Sequence, residues 1–412
     1  MSRGLALLAA ALLLDGQAIA GPKPAHSEID VIAGSGDVSV AVAARGETLY
    51  GHAAGERRTP ASVQKLLLSM ALFDEFGPGH RIATRALSTK DRGAIGDLWV
   101  VGAGDPSMTS GDVGRLANRI GRAGIDRVRG SVVVDSSLFA NDWRATGWQP
   151  WSRDFANRAT ALAIDGNGSA NPPLAFGAAL TDALGARGIA VSRNPRSGRV
   201  PPSAGTVAHV RSARLGDLVR HMNLTSSNFY AETLGKLLGA RSLGLPGSMS
   251  KGAGALERFA AEHDVRVVAH DSSGLSYANE VSADGVVTLL EHAAGQPWGR
   301  TLRLSLPRPG EGTLASRLGG LAVHAKTGTL WNGSSALAGW VRLRTGGTAE
   351  FAVFSRHAGK SVEDAILERV ASDLAAPRHR MGDCRRKWPV TDTGCHMQLW
   401  WEKIGPPARI PE

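Results

Sequence analysis

The stretch Thr59-Pro60-Ala61-Ser62-Val63-Gln64-Lys65-Leu66-Leu67-Leu68-Ser69 reads as the start of a helix. Thr59 suits an N-cap, Pro60 suits the first helical position, and Leu66, Leu67, Met70 and Leu72 continue an apolar stripe. Residues three apart share a helix face, so Ser62 and Lys65 are expected to touch. On spacing alone the commoner reading is a capping serine beside a lysine whose stem lies along the surface, because Ser-x-x-Lys occurs by chance in many proteins. Partners elsewhere in the chain have to decide between a reactive pair and a structural one.

Two later stretches supply such partners. Thr225-Ser226-Ser227-Asn228-Phe229 carries a Ser-x-Asn pattern directly before a helical run. His324-Ala325-Lys326-Thr327-Gly328-Thr329 carries Lys-Thr-Gly on an expected strand. Each motif is weak alone. The order Ser-x-x-Lys, Ser-x-Asn, Lys-Thr-Gly is the signature of the penicillin-binding protein and serine β-lactamase superfamily.

The chemistry accounts for the residue types. Ser62 needs a base to become a nucleophile, and Lys65 can serve only when neutral. Burial and a second ammonium at Lys326 both disfavour its charged form. Ser226 suits proton relay to a leaving amine, and the Asn228 amide suits holding Lys65 and a substrate amide. Lys326 and Thr327 suit a terminal carboxylate, one by charge and one by hydroxyl. Gly328 lets substrate backbone approach the strand, and the N–H groups of Ser62 and Thr329 are expected to form an oxyanion hole.

Further stretches extend the likeness. Gly102–Ser107, Arg129–Phe139, Ala163–Asn167, Asp271–Asn279, Leu306–Leu318 and Lys326–Val341, with the motifs above, resemble the low-molecular-mass class C penicillin-binding proteins. The resemblance covers roughly residues 38 to 375. It implies D-alanyl-D-alanine carboxypeptidase activity, often joined by endopeptidase activity, on peptidoglycan stem peptides, with β-lactams as covalent inhibitors. It also implies an α/β (α+β) fold: a serine β-lactamase/transpeptidase-like domain with an antiparallel sheet flanked by helices, and one smaller inserted α/β domain. Ser62 and Ser226 lie 164 residues apart (226 − 62), whereas class A β-lactamases place these motifs closer together.

Two departures bear on specificity. The family usually carries a second insertion after the segment matching Ala163–Asn167, but here Ser169-Ala170-Asn171-Pro172 follows almost at once. Tyr277 also stands where the family is expected to have an arginine that contacts a side-chain carboxylate. Asp105 of Gly104-Asp105-Pro106 matches an aspartate that the resemblance implies near a substrate amino group, and it equally suits a turn before Pro106.

Composition sets the wider limits. At 412 residues and 43% hydrophobic, the chain can bury a large core in about two domains. Its 47 basic and 37 acidic residues give a net charge of +10. The basic residues are scattered without interleaved aromatics, which argues for an anionic matrix or plain solubility and against nucleic acid. Met1–Ala20 has a basic Arg3, an apolar run and a small-x-small end, so a signal peptide over 1–20 and export beyond the cytoplasmic membrane are expected. No downstream run is long enough to span a membrane.

The transpeptidase-like part is expected at 26–80 and 205–378, the insertion at 81–204, and a basic, Trp-containing tail at 379–412. The twelve histidines show no ligand spacing, so no metal and no cofactor are expected. Cys384 and Cys395 are expected to pair in an oxidising compartment. Trp388, Trp400 and Trp401 either bind glycan or, preferably, pack the tail. Asp271–Ser276 reads as tight structural packing. The rival functions are a β-lactamase-like hydrolase and a catalytically silent peptidoglycan-binding protein.

Overall fold

The computed structural model describes residues 24–34 and 36–375. The expected signal peptide and the tail with Cys384, Cys395 and its three tryptophans lie outside the described residues.

The described chain opens with α1 (Pro24–Gly34), β1 (Asp37–Ala44), β2 (Glu47–His52) and the short β3 (Arg57–Arg58). A 3-10 turn at Ala61–Val63 then leads into α2 (Gln64–Phe76). The helix therefore starts later than the Thr59-Pro60 signal suggests. Pro60 caps the 3-10 turn without a side-chain hydrogen bond, and Thr59 Oγ1 donates instead to the Tyr277 carbonyl at 3.4 Å. Ala61 sits at φ +47, a left-handed conformation that costs an alanine energy and must be held by its surroundings. Every residue from Gln64 to Phe73 is buried. A helix apolar on nearly all sides belongs in a core.

From Ala83 to Arg211 the chain forms β4 (Ala83–Ser88), β5 (Gly93–Ile95), β6 (Leu98–Val101), α3 (Ser110–Arg122), β7 (Ile125–Val128) and β8 (Val132–Asp135). It continues through α4 (Pro172–Gly185), β9 (Ala190–Val191), β10 (Arg196–Ser197) and β11 (Gly205–Arg211). Five of these strands make a sheet of order β10-β8-β6-β4-β11, and β5, β7 and β9 make a second, three-stranded sheet. Val113, Leu116 and Ile120 of α3 join Phe176, Leu180 and Leu184 of α4 in a core separate from that around α2. Thr109 and Asp112 close a reciprocal cap at the start of α3. Gly205–Arg211, expected to begin the second catalytic segment, pairs antiparallel with β4 and so completes this sheet.

The remaining elements are α5 (Leu215–Thr225), α6 (Asn228–Leu243), α7 (Met249–Ala261), β12 (Val281–Ser282), α8 (Ala283–Ala294), α9 (Gly299–Ser305), β13 (Val323–Thr329), β14 (Ser334–Arg342), β15 (Thr348–Arg356) and α10 (Lys360–Asp373). The meander expected over the last third is present. Helices α7 to α9 were not legible in the sequence. Their glycines and small residues weaken any local helical signal, and burial of Leu256, Phe259, Val286 and Leu290 in the α2 core is what holds them.

The principal sheet is antiparallel with order β13-β14-β15-β1-β2, so β13 is an edge strand. Ala41, Ala43, Ala336, Ala338 and Ala352 face the α2 core. Val40, Leu337, Phe351 and Val353 face the opposite way, against Ile29 of α1 and Ile366, Leu367 and Val370 of α10. Small residues on one face let α8 and the Ala61–Val63 turn sit close to the sheet. Pairing of Lys326 with Ala338 sends the lysine toward that same face.

Candidate active site

Three elements bring the expected residues together. Ser62 lies in the 3-10 turn before α2. Ser226 caps the end of α5 at φ +54, and Asn228 opens α6. Lys326 to Thr329 form the end of the edge strand β13.

Lys65 is fully buried and donates three hydrogen bonds: to Ser62 Oγ at 2.9 Å, to Asn228 Oδ1 at 2.7 Å and to the Ser273 carbonyl at 2.6 Å. Three acceptors orient one ammonium, and none of them is an ionised carboxylate. Burial pulls its pKa down from 10.5 to about 7, although the Asp271 and Glu232 carboxylates pull the other way. At neutral pH the amine is therefore available as a base.

Lys326 is equally buried and donates to Ser226 Oγ at 3.0 Å and to the Thr327 carbonyl at 2.7 Å. Burial first, and then repulsion from Lys65, hold it well below the ordinary lysine range. From the sequence, Lys326 is expected to share in lowering the pKa of Lys65. In the structure burial carries that shift, and the repulsion between the two ammoniums weighs on Lys326.

Close approach explains two glycines. A Cβ on Gly328 would stand 3.0 Å from the Ser62 nitrogen and 2.8 Å from the Pro60 carbonyl. A Cβ on Gly274, which has φ +82, would meet the Ala61 carbonyl oxygen at 1.8 Å. The end of β13 and the Asp271–Ser276 loop thus clamp the strained Ala61-Ser62 turn from two sides. Thr327 Oγ1 donates to Thr313 Oγ1 at 2.8 Å and Thr329 Oγ1 to the Gly328 carbonyl at 2.7 Å. Ser62, Ser226, Asn228, Thr329 and Tyr277 line one open cleft of about 150 Å³.

Asp105 is placed differently. It is buried, its Oδ1 accepts from the Ser107 N–H at 2.9 Å and hydroxyl at 2.6 Å, and it does not line the cleft. Burial raises its pKa. It does lie near Tyr230 on α6, whose hydroxyl is pushed up to about 12 by burial and then by the Asp105 charge.

Supporting groups surround the reactive residues: the Asp271–Ser276 stretch, read from the sequence as tight structural packing, and Glu232, Phe155 and Lys236, which were not anticipated. Asp271 accepts from the backbone N–H groups of Gly274 and Ser276 and from the Asn279 amide, which holds the loop that offers the Ser273 carbonyl. Glu232 Oε1 accepts from the N–H groups of Ser272 and Ser273 at 3.2 and 2.8 Å. Burial, then Asp271, lifts Glu232 to about 8. Asn228 Nδ2 donates to the Phe155 carbonyl at 2.9 Å. The Phe155 segment is itself held by Lys236 of α6, which reaches the carbonyls of Ala140, Asp142 and Ala159 and the Asp142 carboxylate at 2.6 Å. Glu232 and Lys236 follow Asn228 on one helix at four-residue spacing. That spacing was the available signal.

The cleft mouth is aromatic. Trp331 is 77% exposed, Phe155 47% and Trp151 45%, and the rings of Phe155 and Trp331 meet edge to face at 5.9 Å. Among the described residues no cluster of three or more His, Cys, Asp or Glu could hold a metal, and no helix is long and apolar enough to cross a membrane.

The sequence matches the D-Ala-D-Ala carboxypeptidase 3 (S13) family over residues 31–171 and 167–374. The chain belongs to that family. Membership makes it a serine-type D-alanyl-D-alanine carboxypeptidase of the low-molecular-mass class C penicillin-binding proteins. It is 28% identical to a D-alanyl-D-alanine carboxypeptidase of Actinomadura sp. (strain R39), covering 87% of this chain and 85% of that protein. That alignment runs over 458 positions, more than this chain's 412 residues, so the relative carries segments absent here. The chain is also 30% identical to carboxypeptidase DacB of Mycolicibacterium smegmatis, covering 78% of this chain and 76% of that protein. Penicillin binding protein 4 of Haemophilus influenzae, solved in complex with a β-lactam, has the same fold. Its TM-score is 0.71 at 20% identity, covering 84% of this chain and 99% of that one.

Proposed function

We propose that Ser62 of this S13 carboxypeptidase is the acylated nucleophile and Lys65 its base, acting on peptidoglycan stem peptides that end in D-Ala-D-Ala. The observation that carries this is the 2.9 Å contact between Ser62 Oγ and a fully buried Lys65 with a pKa near 7. Ser62 Oγ attacks the carbonyl carbon of the penultimate D-Ala while Lys65 takes the hydroxyl proton. The developing oxyanion is met by the N–H groups of Ser62 and Thr329. Collapse breaks the peptide bond, and the proton that Lys65 took passes through Ser226, which touches Lys326 at 3.0 Å, to the departing D-Ala amine, so that Lys65 is neutral again. Lys65 then takes a proton from water as the water oxygen attacks the Ser62 ester, and it returns that proton to Ser62 Oγ as the ester bond breaks. Lys326 and Thr327 hold the terminal carboxylate, and Asn228 holds both Lys65 and a substrate amide.

A β-lactam amide enters the same first step, and its ester is expected to leave slowly. The same chemistry on a cross-linked D-Ala bond would be endopeptidase cleavage. A wall polymer as substrate supports work outside the cytoplasmic membrane. The unit from Ala83 to Arg211 serves as an insertion, and the chain that follows β8 lends the cleft its rim. The test is labelling with a fluorescent penicillin followed by peptide mapping. Label on Ser62, lost in Ser62→Ala together with release of D-Ala, is expected. Label on Ser226, or label that survives in Ser62→Ala, overturns the assignment.

A further inference from the structure

A larger cavity lies away from Ser62. It is a groove of about 640 Å³ at the other end of β13, floored by Val323, His324 and Trp340 and walled by Arg303, Arg308 and Arg342. That volume suits a peptide or disaccharide. Its charge is one-sided. The lining acid, Glu311, is already met by Arg308 at 3.0 Å and by Arg220 at 3.7 Å. Arg303, half-buried on α9, and Arg342, at the end of β14, reach no carboxylate among the described residues. Beneath the floor, Glu350 accepts from Trp340 Nε1 at 3.0 Å; burial lifts it to about 7, while the Arg303 charge pulls it the other way, so it offsets only part of this charge. Burial, and then Arg303 and Arg308, also hold His324 below its ordinary value. A half-buried guanidinium with no directly bonded carboxylate on a concave surface is a place for an anion.

We propose that this groove is a second binding site for carboxylate-bearing stem peptides of the same wall polymer. The assignment rests on the peptidoglycan reading of the Ser62 site. β13 runs continuously from the groove floor at His324 to Thr327, three residues and about 10 Å away. The Pro307 carbonyl accepts from the Ala325 N–H at 3.0 Å, so a substrate strand cannot run along β13 between the two places. The groove therefore takes a neighbouring peptide of a cross-linked or polymeric substrate. A short peptide held at Lys326 and Thr327 does not fill it.

The test uses the full-length enzyme with two probes, a short acetylated peptide ending in D-Ala-D-Ala and a purified cross-linked muropeptide dimer. The Arg303→Gln/Arg342→Gln enzyme should raise the ratio of dimer KM to short-peptide KM about fivefold over wild type, and added salt should shrink that difference. The Arg122→Gln/Arg127→Gln enzyme loses the same charge from the α3–β7 surface and should leave the ratio unchanged. An unchanged ratio in the groove variant, or an equal rise in the control, overturns the proposal. Competition by a phosphate-bearing wall polymer without competition by a free stem tetrapeptide overturns the choice of occupant. If the wild type turns over neither probe, the Ser62 reading fails instead.

Discussion

Replacing Asn228 by aspartate tests the assignment of Lys65 as base with almost no change of shape. Asn228 Oδ1 accepts from Lys65 Nζ at 2.7 Å. A carboxylate at that distance in a buried site favours the ammonium and raises its pKa by roughly one to three. The starting value is about 7, so half of Lys65 is neutral at neutral pH. In Asn228→Asp the neutral share at pH 7 should fall to between about a tenth and about a thousandth. Acylation there should then drop roughly five- to five-hundredfold. The sign follows from the chemistry: the active form is the deprotonated amine, so the rate climbs as pH rises through the pKa and levels above it. The assay is stopped-flow acylation by a fluorescent penicillin from pH 5.5 to 9.5, with folding checked by circular dichroism. Wild type should show a rising limb centred near 7, and the variant a limb displaced upward with much of the rate regained at high pH. Loss of the Asn228 Nδ2 bond to the Phe155 carbonyl adds a pH-independent loss, so the limb position is the deciding readout. A limb that stays near 7 with only its height reduced would refute Lys65 as the base.

Gly274→Ala should cut acylation about a hundredfold while the protein stays folded, because its Cβ would strike the Ala61 carbonyl and move the Ser62 turn; labelling kinetics beside circular dichroism check this. Glu232→Gln should acylate within about threefold of wild type at pH 7, where Glu232, with a pKa near 8, is mostly protonated. Glu232→Ala leaves the Ser272 and Ser273 N–H groups without their acceptor and should cost about 1–3 kcal/mol for each, read as a lowered Tm. With Tyr277 in the cleft where the family resemblance implies an arginine, peptides with lysine or diaminopimelate at the third stem position should be processed within about tenfold of each other. A strong preference for diaminopimelate in that comparison would mean that another cation meets its side-chain carboxylate.

The reactive residues were legible because their chemistry is written locally. Ser62 and Lys65 lie three residues apart where a 3-10 turn runs into α2, Ser226 and Asn228 flank a helix start, and Lys326 and Thr327 are neighbours on a strand, so three short patterns and their order pointed to one site. The alternating and apolar runs of β14, β15 and α10 were equally readable, since burial of each face stamps its period on the sequence. Tertiary structure decided what depends on residues far apart in the chain. The acceptance of Lys65 by the Ser273 carbonyl brings together positions 208 apart, and the hold of the Phe155 carbonyl on Asn228 spans 73. Backbone carbonyls carry no residue signature. The same limit applies to Asp105, whose motif suits both a ligand and a turn and does not reveal that its carboxylate is buried against Ser107. It applies also to α7–α9, whose small residues form helices only because the α2 core is there to bury them. A pattern in sequence records a residue's own backbone period and near neighbours. The pKa of a buried lysine and the charge of a groove are sums over the whole fold, and only the folded chain sets them.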